Sequence, residues 1–492
     1  MGPETVWTDR AFEVSAPAKA IVCGEHAVVY GKSAVAVALS LRTSLLVQPL
    51  STPDNASLVR LSLPDLQHDL EWDSAKLPWK VFRASTTEAD HRPTAEQMVA
   101  VDSAVTTACA CPTTKGGPLC RAVARAFLFL YMSLTSASAP GCSFVLRSEI
   151  PIGAGLGSSG SICVCLATAF LARAKRIRHV DLSAADLDAV NRWALAGEVC
   201  THGTPSGVDN AISTWGGVLS YRRATSPPPS PSPPSTSNSS SSSSNIAPYM
   251  QFLPSHPQPH SSATPGAALS DLSHVLLVDT NHPRSTRAQL DKVAAFIKHH
   301  PVYAAALLAA IDALSLEAAR LFAGDPHNNN NNKDDGSNND SPSSPSSSTH
   351  PITRLGTLMQ LNHRLLSALG VSHPALDRVC DIVARKGVGY AKLTGAGGGG
   401  CVLVLLKPGV VGGLQGREDG AAGGGGGDGG GEEALEEAKE ELRAEGFRVL
   451  GARIGGAGVG VRVVEGREEA EAEVDAEAET EAEVEVEVEE GG

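Results

Sequence analysis

A stretch of thirteen residues, Glu149 to Ser161, constrains this chain more than any other part of it. It reads Glu-Ile-Pro-Ile-Gly-Ala-Gly-Leu-Gly-Ser-Ser-Gly-Ser, and it joins an apolar β-type run to an Ala-rich run that predicts a helix. A glycine-rich turn from strand to helix can present unpaired backbone N–H groups, and the positive end of the helix dipole, to an anion. Ser158 and Ser159 could also bind a phosphate or its metal. The stretch therefore predicts a nucleotide triphosphate site.

Other glycine patterns in the chain are open to different interpretations. Gly155–Gly160 and Gly395–Gly400 both have the spacing of a dinucleotide-binding fingerprint. The first has Lys175 near the position, about 20 residues on, where an acidic residue is needed, and the second precedes a strand instead of a helix. Gly31–Ser33 looks like the end of a P-loop, but His26 occupies the place of its first glycine. A Rossmann or Walker-type site is therefore not favoured.

The charge of the chain argues against nucleic acid as a partner. The net charge is −14, but residues 466–492 hold 13 acidic residues and one Arg, which leaves −2 for the rest. That remainder has no basic surplus with which to bind phosphate backbones. The alternation of Glu with Ala or Val in the tail is typical of a solvated segment.

Cysteine usage and hydropathy indicate the compartment. The ten cysteines contain no C-x-x-C pair and mostly sit in apolar runs, so they are expected to be reduced, buried thiols. The N-terminus shows no apolar leader, and no apolar run reaches 18 residues by inspection. We therefore expect a cytoplasmic protein that has no membrane partner.

Low-complexity segments divide the chain into two αβ units. Strand and helix patterns occupy both units, while the inserts are rich in Ser and Pro, in Asn and Ser, or in Gly, and predict no fixed structure. The expected organisation is an N-terminal domain at 12–225, a disordered insert at 226–268, a C-terminal domain at 269–465 with inserts near 325–350 and 411–431, and a disordered acidic tail at 466–492.

Three further residues suit phosphoryl transfer if they converge on the glycine turn. Lys19 follows a strand-like run, Glu198 stands near the end of a predicted helix, and Asp209 lies in an irregular stretch. The reaction needs a cation for transition-state charge, a carboxylate and a hydroxyl for Mg²⁺, and a carboxylate near the attacking hydroxyl. Taken singly, a Lys, a Glu or an Asp is more often a surface or turn residue. Spacing alone does not bring them together.

Four motifs in the chain resemble those of the GHMP small-molecule kinases. The first motif is Pro17–Gly31 (Pro-Ala-Lys-Ala-Ile-Val-Cys-Gly-Glu-His-Ala-Val-Val-Tyr-Gly), the second is Pro151–Ser159, the third is Lys392–Cys401 (Lys-Leu-Thr-Gly-Ala-Gly-Gly-Gly-Gly-Cys) and the fourth is His202–Asn210 (His-Gly-Thr-Pro-Ser-Gly-Val-Asp-Asn). The Gly-Glu-His-Ala-Val-Val-x-Gly form differs from that of galactokinases and homoserine kinases. It favours the members of the family that phosphorylate mevalonate.

The resemblance implies an α+β fold of two domains. The N-terminal domain would resemble ribosomal protein S5 domain 2, and the C-terminal domain would be ferredoxin-like. ATP and the acceptor would meet in the cleft between them. The implied reaction is ATP with (R)-mevalonate giving ADP and 5-phosphomevalonate, in isoprenoid synthesis, with Mg²⁺ as cofactor and a homodimer as the assembly.

The resemblance also assigns roles to individual residues. The phosphate loop would run through Gly153, Ala154, Gly155, Leu156, Gly157, Ser158 and Ser159. Mg²⁺ would be held by Ser159 and Glu198. Asp209 matches the catalytic base, whose work is mainly to position the acceptor hydroxyl, and Lys19 matches the lysine that pairs with it and contacts the phosphate. Ser148 matches a nucleotide contact, Glu25 and His26 line the acceptor pocket, and Gly395–Gly400 braces the nucleotide loop.

Three positions depart from the pattern of the family. Ala18 replaces a common Gly, Asp65 stands where an Asn contacting the nucleotide is expected, and Gly160 replaces a common Ala. A carboxylate only accepts hydrogen bonds, so Asp65 loses the donor of the amide. Glycine in the first helical turn costs up to about 1 kcal/mol relative to Ala.

Two alternatives remain open on sequence alone. The chain could be a GHMP kinase with another acceptor, such as phosphomevalonate, or an inactive nucleotide-binding relative. The presence of Lys19, Ser159, Glu198 and Asp209 argues against the inactive relative.

Overall fold

The structure, a computed structural model, describes most of the two predicted domains and little of the inserts between them. It describes residues 10–50, 52, 55–83, 91–108, 117–151, 153–203, 205–223, 249–253, 274–324, 350–410 and 430–464. Most of the predicted inserts and the acidic tail lie outside these residues.

Strands and helices occupy both predicted domains. The strands are β1 Phe12–Cys23, β2 Ser33–Pro49, β3 Leu58–Leu63, β4 His68–Asp73, β5 Cys142–Ser148, β6 Val218–Arg222, β7 Tyr249–Leu253, β8 His274–Asp279, β9 Gly389–Leu393, β10 Cys401–Leu406, β11 Arg448–Arg453 and β12 Gly460–Val463. The helices are α1 Trp79–Arg83, α2 Ala95–Ala108, α3 Gly117–Leu134, α4 Ser158–Arg173, α5 Ala184–His202, α6 Val208–Trp215, α7 Thr286–His299, α8 Pro301–Ala323, α9 Pro351–Ala368, α10 Pro374–Lys386 and α11 Gly430–Ala444.

The N-terminal domain is an eight-stranded sheet with helices packed on it. Its main path is β12-β1-β2-β5-β3-β4, and β6 pairs with β2 and β7. Among the described strands of this sheet, β3 and β5 form the one parallel pair. Strand β2 is long enough to pair with β6 through Ser33–Val37 and with β5 through Thr43–Pro49. Helices α3, α4 and α5 pack on one another beside this sheet. Aromatic side chains pack between these helices and the sheet: Phe127 makes edge-to-face contacts with Phe144 and Phe170.

The C-terminal domain confirms the predicted ferredoxin-like arrangement. Its sheet has the order β11-β8-β10-β9, and all neighbouring strands are antiparallel. Numbered within the domain, this order is 4-1-3-2, which belongs to the split βαβ pattern. Strand β10, Cys401–Leu406, is buried along its whole length, as expected for a central strand covered by helices.

Two short strands depart from the predicted boundaries. Strand β7 lies within residues 226–268, where no fixed structure was predicted, and it pairs in register with β6 from Val218↔Leu253 to Arg222↔Tyr249. This short run forms a strand because the edge strand β6 supplies hydrogen-bond partners for its backbone. The composition of the run does not reveal that such an edge is available. Strand β12, predicted within the C-terminal domain, instead pairs with β1. The chain therefore returns to the first domain before its acidic tail.

Helices α3 and α8 are longer apolar segments than the sequence analysis predicts. By length and composition alone, α3 and α8 are long and apolar enough to cross a membrane, with 67% and 33% of the relevant windows buried inside the protein. The expectation that no apolar run reaches 18 residues is wrong by this measure, because a span tolerates one or two charged residues. The burial of α3 among core aromatics is that of a core helix.

Candidate active site

The glycine turn joins β5 to α4 and is built to receive an anion. Gly153, Gly155 and Gly157 all have φ between +73° and +81°, a backbone region that side chains rarely adopt. Gly157 is the N-cap of α4, and no side chain caps the helix there. The first N–H groups of α4 are thus left for a ligand. Helix α4 begins at Ser158, so both Ser158 and Ser159 lie in its first turn.

Lys19 and Asp209 meet beside this turn. Lys19 Nζ lies 3.1 Å from Asp209 Oδ1, and only 8% of the lysine side chain is exposed. The backbone N–H of Lys19 donates to Leu156 O at 2.8 Å, which fastens β1 to the phosphate loop. The pairing of β1 with β2 is irregular between Pro17 and Lys19, and such irregularities turn a side chain away from the regular pleat. Asp209 lies in the first turn of α6.

Glu198 reaches the same place from α5 and is buried. The pKa of its carboxyl is raised to about 8: burial and then the nearby Asp209 raise it, whereas Lys19 and a hydrogen bond with Ser159 partly offset the rise. Its Oε2 is buried and has no hydrogen-bond partner in the structure. A buried carboxylate oxygen without a partner next to a serine hydroxyl matches the hard oxygen ligands of Mg²⁺.

Glu198 and Ser159 would hold Mg²⁺ only together with the phosphates of a bound nucleotide. The described part of the chain contains no cluster of three or more Asp, Glu, His or Cys side chains suited to a metal. Mg²⁺ usually takes one or two carboxylates and completes its shell with water and substrate phosphates. Glu198 and Ser159 fit that kind of site.

Gly160 explains how Asp209 comes so close to the loop. A Cβ atom at position 160 would lie 2.8 Å from Asp209 Cβ and 2.9 Å from its carbonyl carbon. Helix α4 therefore has to lack a side chain there for α6 to pack against it. The glycine that weakens the first helical turn on propensity grounds is required by this contact.

Ser148 and Asp65 lie next to each other at the end of β5. The Ser148 N–H donates to Asp65 Oδ2 at 2.7 Å, and the Ser148 hydroxyl bonds Thr43 Oγ1 at 2.9 Å. Thr43 Oγ1 in turn bonds the buried Ser161 hydroxyl at 2.8 Å. Asp65 thus serves as an acceptor, which is the role that a carboxylate keeps when it replaces an amide. Neither Ser148 nor Asp65 lines the cavity described below, and their contact with a nucleotide stays a prediction.

Glu25 is held by the C-terminal domain. It forms an ion pair with the fully buried Lys392, and its Oε2 accepts from Asn362 Nδ2 at 2.8 Å. Lys392 Nζ also donates to Ile21 O at 3.1 Å. Both carboxylate oxygens of Glu25 therefore have protein partners, and the residue fastens the first motif to the third.

His26 is free on one side to meet an acceptor. It has φ +60°, and its Nε2 bonds Ala396 O at 2.8 Å, so Nε2 carries the hydrogen. Burial lowers its pKa, which keeps the ring neutral, and its Nδ1 is buried with no partner in the structure. That nitrogen can accept a hydrogen bond from a hydroxyl group of a ligand.

Most of the predicted site residues surround one cavity of about 600 Å³. The predicted residues that line it are Lys19, Glu25, His26, Gly153, Gly155, Leu156, Gly157, Ser158, Ser159 and Asp209. At one side α3 adds an apolar wall, and Gly395 and Ala396 of the third motif close another side. Two more predicted residues do not line the cavity. Ala154 is buried within the loop, and Glu198 is buried next to Ser159, to which its carboxylate is hydrogen-bonded.

Sequence reasoning missed Arg284, Lys392 and Asn362. Arg284 lines the cavity, and its Nε donates to Gly153 O at 3.1 Å. Lys392 lies in the third motif, but its sequence context does not indicate that the side chain is buried. Asn362 lies in a segment of ordinary helical periodicity, which does not single it out. The available signal for Arg284 was its position just after an apolar strand and Pro283, directly before the helix cap Ser285.

The chain matches the description "GHMP kinases N terminal domain" over residues 120–217 and "GHMP kinases C terminal" over residues 347–411. It is 35% identical over 467 residues to the mevalonate kinase of Aspergillus fumigatus, an alignment that covers 92% of this chain and 73% of that relative. This chain belongs to the GHMP kinase family. It is also 35% identical over 408 residues to the human mevalonate kinase, with 81% of this chain and 86% of that one covered.

A solved member of the GHMP kinase family shares the fold. The crystal structure of L. major mevalonate kinase in complex with R-mevalonate superposes with a TM-score of 0.55 at 19% identity, covering 93% of this chain and 99% of that one. This likeness confirms the predicted two-domain GHMP kinase fold.

Proposed function

We propose that this protein transfers the γ-phosphoryl group of ATP to the C5 hydroxyl of (R)-mevalonate, giving ADP and 5-phosphomevalonate. The observation that carries the proposal is the ion pair of Lys19 and Asp209, whose Nζ and Oδ1 atoms lie 3.1 Å apart. The pair lies beside the phosphate loop, in a cavity that His26 also lines. The similarity to mevalonate kinases over most of the chain supports this choice of acceptor.

The phosphates would lie on the N-terminus of α4. There the free N–H groups and the helix dipole favour negative charge without any rearrangement during the reaction. Glu198 and Ser159 would hold Mg²⁺, which supplies charge neutralisation to the phosphate oxygens when it is bound. The apolar wall of α3, formed by Leu119, Ala122, Val123 and Ala126, offers a surface for the purine ring.

Asp209 and Lys19 would work as a unit on the acceptor. The Asp209 carboxylate accepts a hydrogen bond from the C5 hydroxyl and so aims its oxygen at the phosphorus. The hydroxyl proton passes to Asp209 as the new O–P bond forms and the bond to the ADP oxygen breaks. Lys19 Nζ keeps the carboxylate in place and faces the charge of the transferred group. In a loose transition state most of the gain comes from positioning and electrostatics.

The test is ADP release by the purified protein with a panel of acceptors. We expect release with (R)-mevalonate and none above background with phosphomevalonate, homoserine or galactose. EDTA in excess should stop the reaction, and Mg²⁺ should restore it. Release with phosphomevalonate alone would instead assign the protein to the other acceptor.

Assembly and location are part of the same proposal. We infer a homodimer in the cytoplasm. The eight cysteines of the described residues are all free and seven are buried, which suits a reducing compartment. Helix α8 exposes Val302 and Tyr303, which could pack in a dimer. Light scattering on the purified protein measures the assembly directly.

A further inference from the structure

The loop between β1 and β2 (residues 24–32) forms part of the cavity wall. Four of its residues line the cavity: Glu25, His26, Val28 and Val29. The loop is closed tightly at its base, because a Cβ atom at Gly24 would lie 2.4 Å from the Cα atom of Ala34 and 2.5 Å from Ser33 O. A shift of Ser33, where β2 begins, would therefore be transmitted to this wall of the cavity.

Asp312 of α8 fastens the start of β2 to the C-terminal domain. Its Oδ1 accepts from the Ser33 N–H at 2.7 Å, and its Oδ2 lies 3.8 Å from Lys32 Nζ. The Asp312 side chain is 17% exposed, so water and salt screen its charge only in part. One carboxylate thus holds two consecutive residues at the end of the β1–β2 loop.

Arg222 completes the same junction from β6. Its Nη2 donates to Ser33 Oγ at 2.9 Å and lies 3.4 Å from Asp312 Oδ1. Ser33 and Arg222 are register partners in the sheet, so the carboxylate sits at the end of the β2–β6 pair. Tyr221, the residue before Arg222, also lines the cavity. A single side chain of the C-terminal domain therefore contacts two segments of the N-terminal domain that reach the cavity.

The phosphate loop is attached to the protein by other contacts. The Lys19 N–H, for example, donates to Leu156 O at 2.8 Å. Among the described residues, the hydrogen bonds and ion pairs of the Asp312 side chain go to Lys32, Ser33 and Arg222. Loss of this carboxylate should therefore displace the β1–β2 loop and the end of β6, while the phosphate loop stays in place.

We propose that Asp312 is a positioning residue for the acceptor, which it serves by holding residues 24–33 and the end of β6 at a fixed distance from the phosphate loop. The start of the loop is held separately, since Glu25 pairs with Lys392 and His26 bonds the third motif. Asp312 fixes its end without lining the cavity itself. Small displacements of groups that orient a substrate lower the rate, because reaction requires near-attack geometry. The inference rests on the proposed function.

The experiment compares full-length Asp312→Ala and Asp312→Asn with Glu317→Ala, a control on the same helix. The Glu317 side chain is 46% exposed, and its ion pair with Arg354, at 3.7 Å, stays within the C-terminal domain. For Asp312→Ala we expect the KM for mevalonate to rise about tenfold and the KM for ATP to stay within about twofold. Glu317→Ala should match the wild type in both.

Two more variants separate positioning from a general loss of structure. Asp312→Asn keeps an oxygen that can accept from the Ser33 N–H, so the KM for mevalonate should rise less than in Asp312→Ala. It carries the same comparison if Asp312→Ala does not fold. Arg222→Met should raise the same KM, and the double variant of Asp312→Ala with Arg222→Met should lose less than the product of the two effects, since both residues act at one junction.

Hydrogen exchange, which needs no turnover, tests the attachment apart from the proposed function. Amides of residues 26–32 and 218–222 should exchange faster in Asp312→Ala than in Glu317→Ala, and those of residues 157–161 at an equal rate. Unchanged exchange in residues 26–32 would overturn the proposal, as would kinetics like those of Glu317→Ala. An equal rise in the KM for ATP and for mevalonate would also overturn it, because Asp312 would then hold the domains together without favouring the acceptor. Absence of ADP release by the wild type would refute the proposed function, and the exchange comparison would still decide whether Asp312 fixes the loop.

Discussion

Lys19 Nζ and Asp209 Oδ1 lie 3.1 Å apart, although 190 residues separate them in the chain. One comes from β1 and the other from the first turn of α6, and both are held against the phosphate loop. The fold brings a cation and a carboxylate from two remote positions in the sequence to the same point of the cavity wall.

The pair should behave as a unit in kinetics. We expect Asp209→Asn and Lys19→Met each to lower kcat by about 10³-fold, because under the proposed function each removes a group that acts in the transition state. The double variant should lose far less than the product of the two effects. Steady-state ADP release measures this, and Glu71→Gln, which removes one partner of the exposed Arg60–Glu71 pair, is the control. Fully multiplicative losses would contradict the coupling.

The buried Glu198 should make the metal-free protein less stable as the pH rises. Its folded pKa of about 8 lies above the ordinary value of 4.5, so the folded state binds more protons between these values. This contribution to stability is fully present below pH 4.5 and is lost as the pH rises through 8. In EDTA, Glu198→Gln should therefore raise the urea midpoint more at pH 8 than at pH 5. A stabilisation that does not vary with pH would refute this account.

Glycine at position 160 should matter both for the rate and for stability. In Gly160→Ala the new Cβ would press on the backbone of Asp209, so α6 must shift by some tenths of an ångström. We expect kcat to fall by about three- to tenfold from misplacement of the carboxylate, with the KM for ATP little changed. Alanine gains up to about 1 kcal/mol of helix propensity. The new Cβ overlaps backbone atoms of α6, however, and such overpacking costs about 1–3 kcal/mol, so the melting temperature should also fall.

A matched control exists for this substitution. Gly430, at the start of α11, has open space where its Cβ would be, so Gly430→Ala should leave kcat unchanged. A kcat for Gly160→Ala equal to that of the wild type would show that α4 and α6 can separate without cost to the reaction.

The Lys392–Glu25 pair should be important for stability. Lys392→Met leaves the carboxylate of Glu25, 1% exposed, without its cation, which should cost about 3–5 kcal/mol of unfolding free energy. Adding Glu25→Gln should recover much of that loss, since no charge then stays buried. Urea unfolding measures both.

The surface offers the comparison for this pair. Lys386→Met removes one partner of an ion pair whose Glu437 side chain is 53% exposed, and it should cost under about 1 kcal/mol. Equal costs for Lys392→Met and Lys386→Met would mean that burial does not control the strength of the pair.

The sequence predicted those features that depend on residues close together in the chain. A glycine-rich turn between an apolar strand and an apolar helix predicts free N–H groups, and Gly153–Ser159 has that conformation. Helix bounds such as those of α7, Thr286–His299, follow from periodicity and capping residues. The strand β7 and the destination of β12 were not predictable, because a strand's partner is set by the edge it meets and not by its own residues.

By itself the sequence determined the glycine-rich turn at Gly153–Ser159, the presence of strands and helices in both domains, and the four motifs that mark the family. Only the tertiary structure decided which charges meet. It paired Lys19 with Asp209, locked Glu25 onto Lys392 and placed Arg284 against Gly155. Backbone conformation depends on neighbouring residues, which the sequence shows, whereas the strength and partner of a charge depend on burial and on distances between remote segments. Those are fixed only when remote segments pack together, within one domain for Lys19 and Asp209 and between the two domains for Glu25 and Lys392.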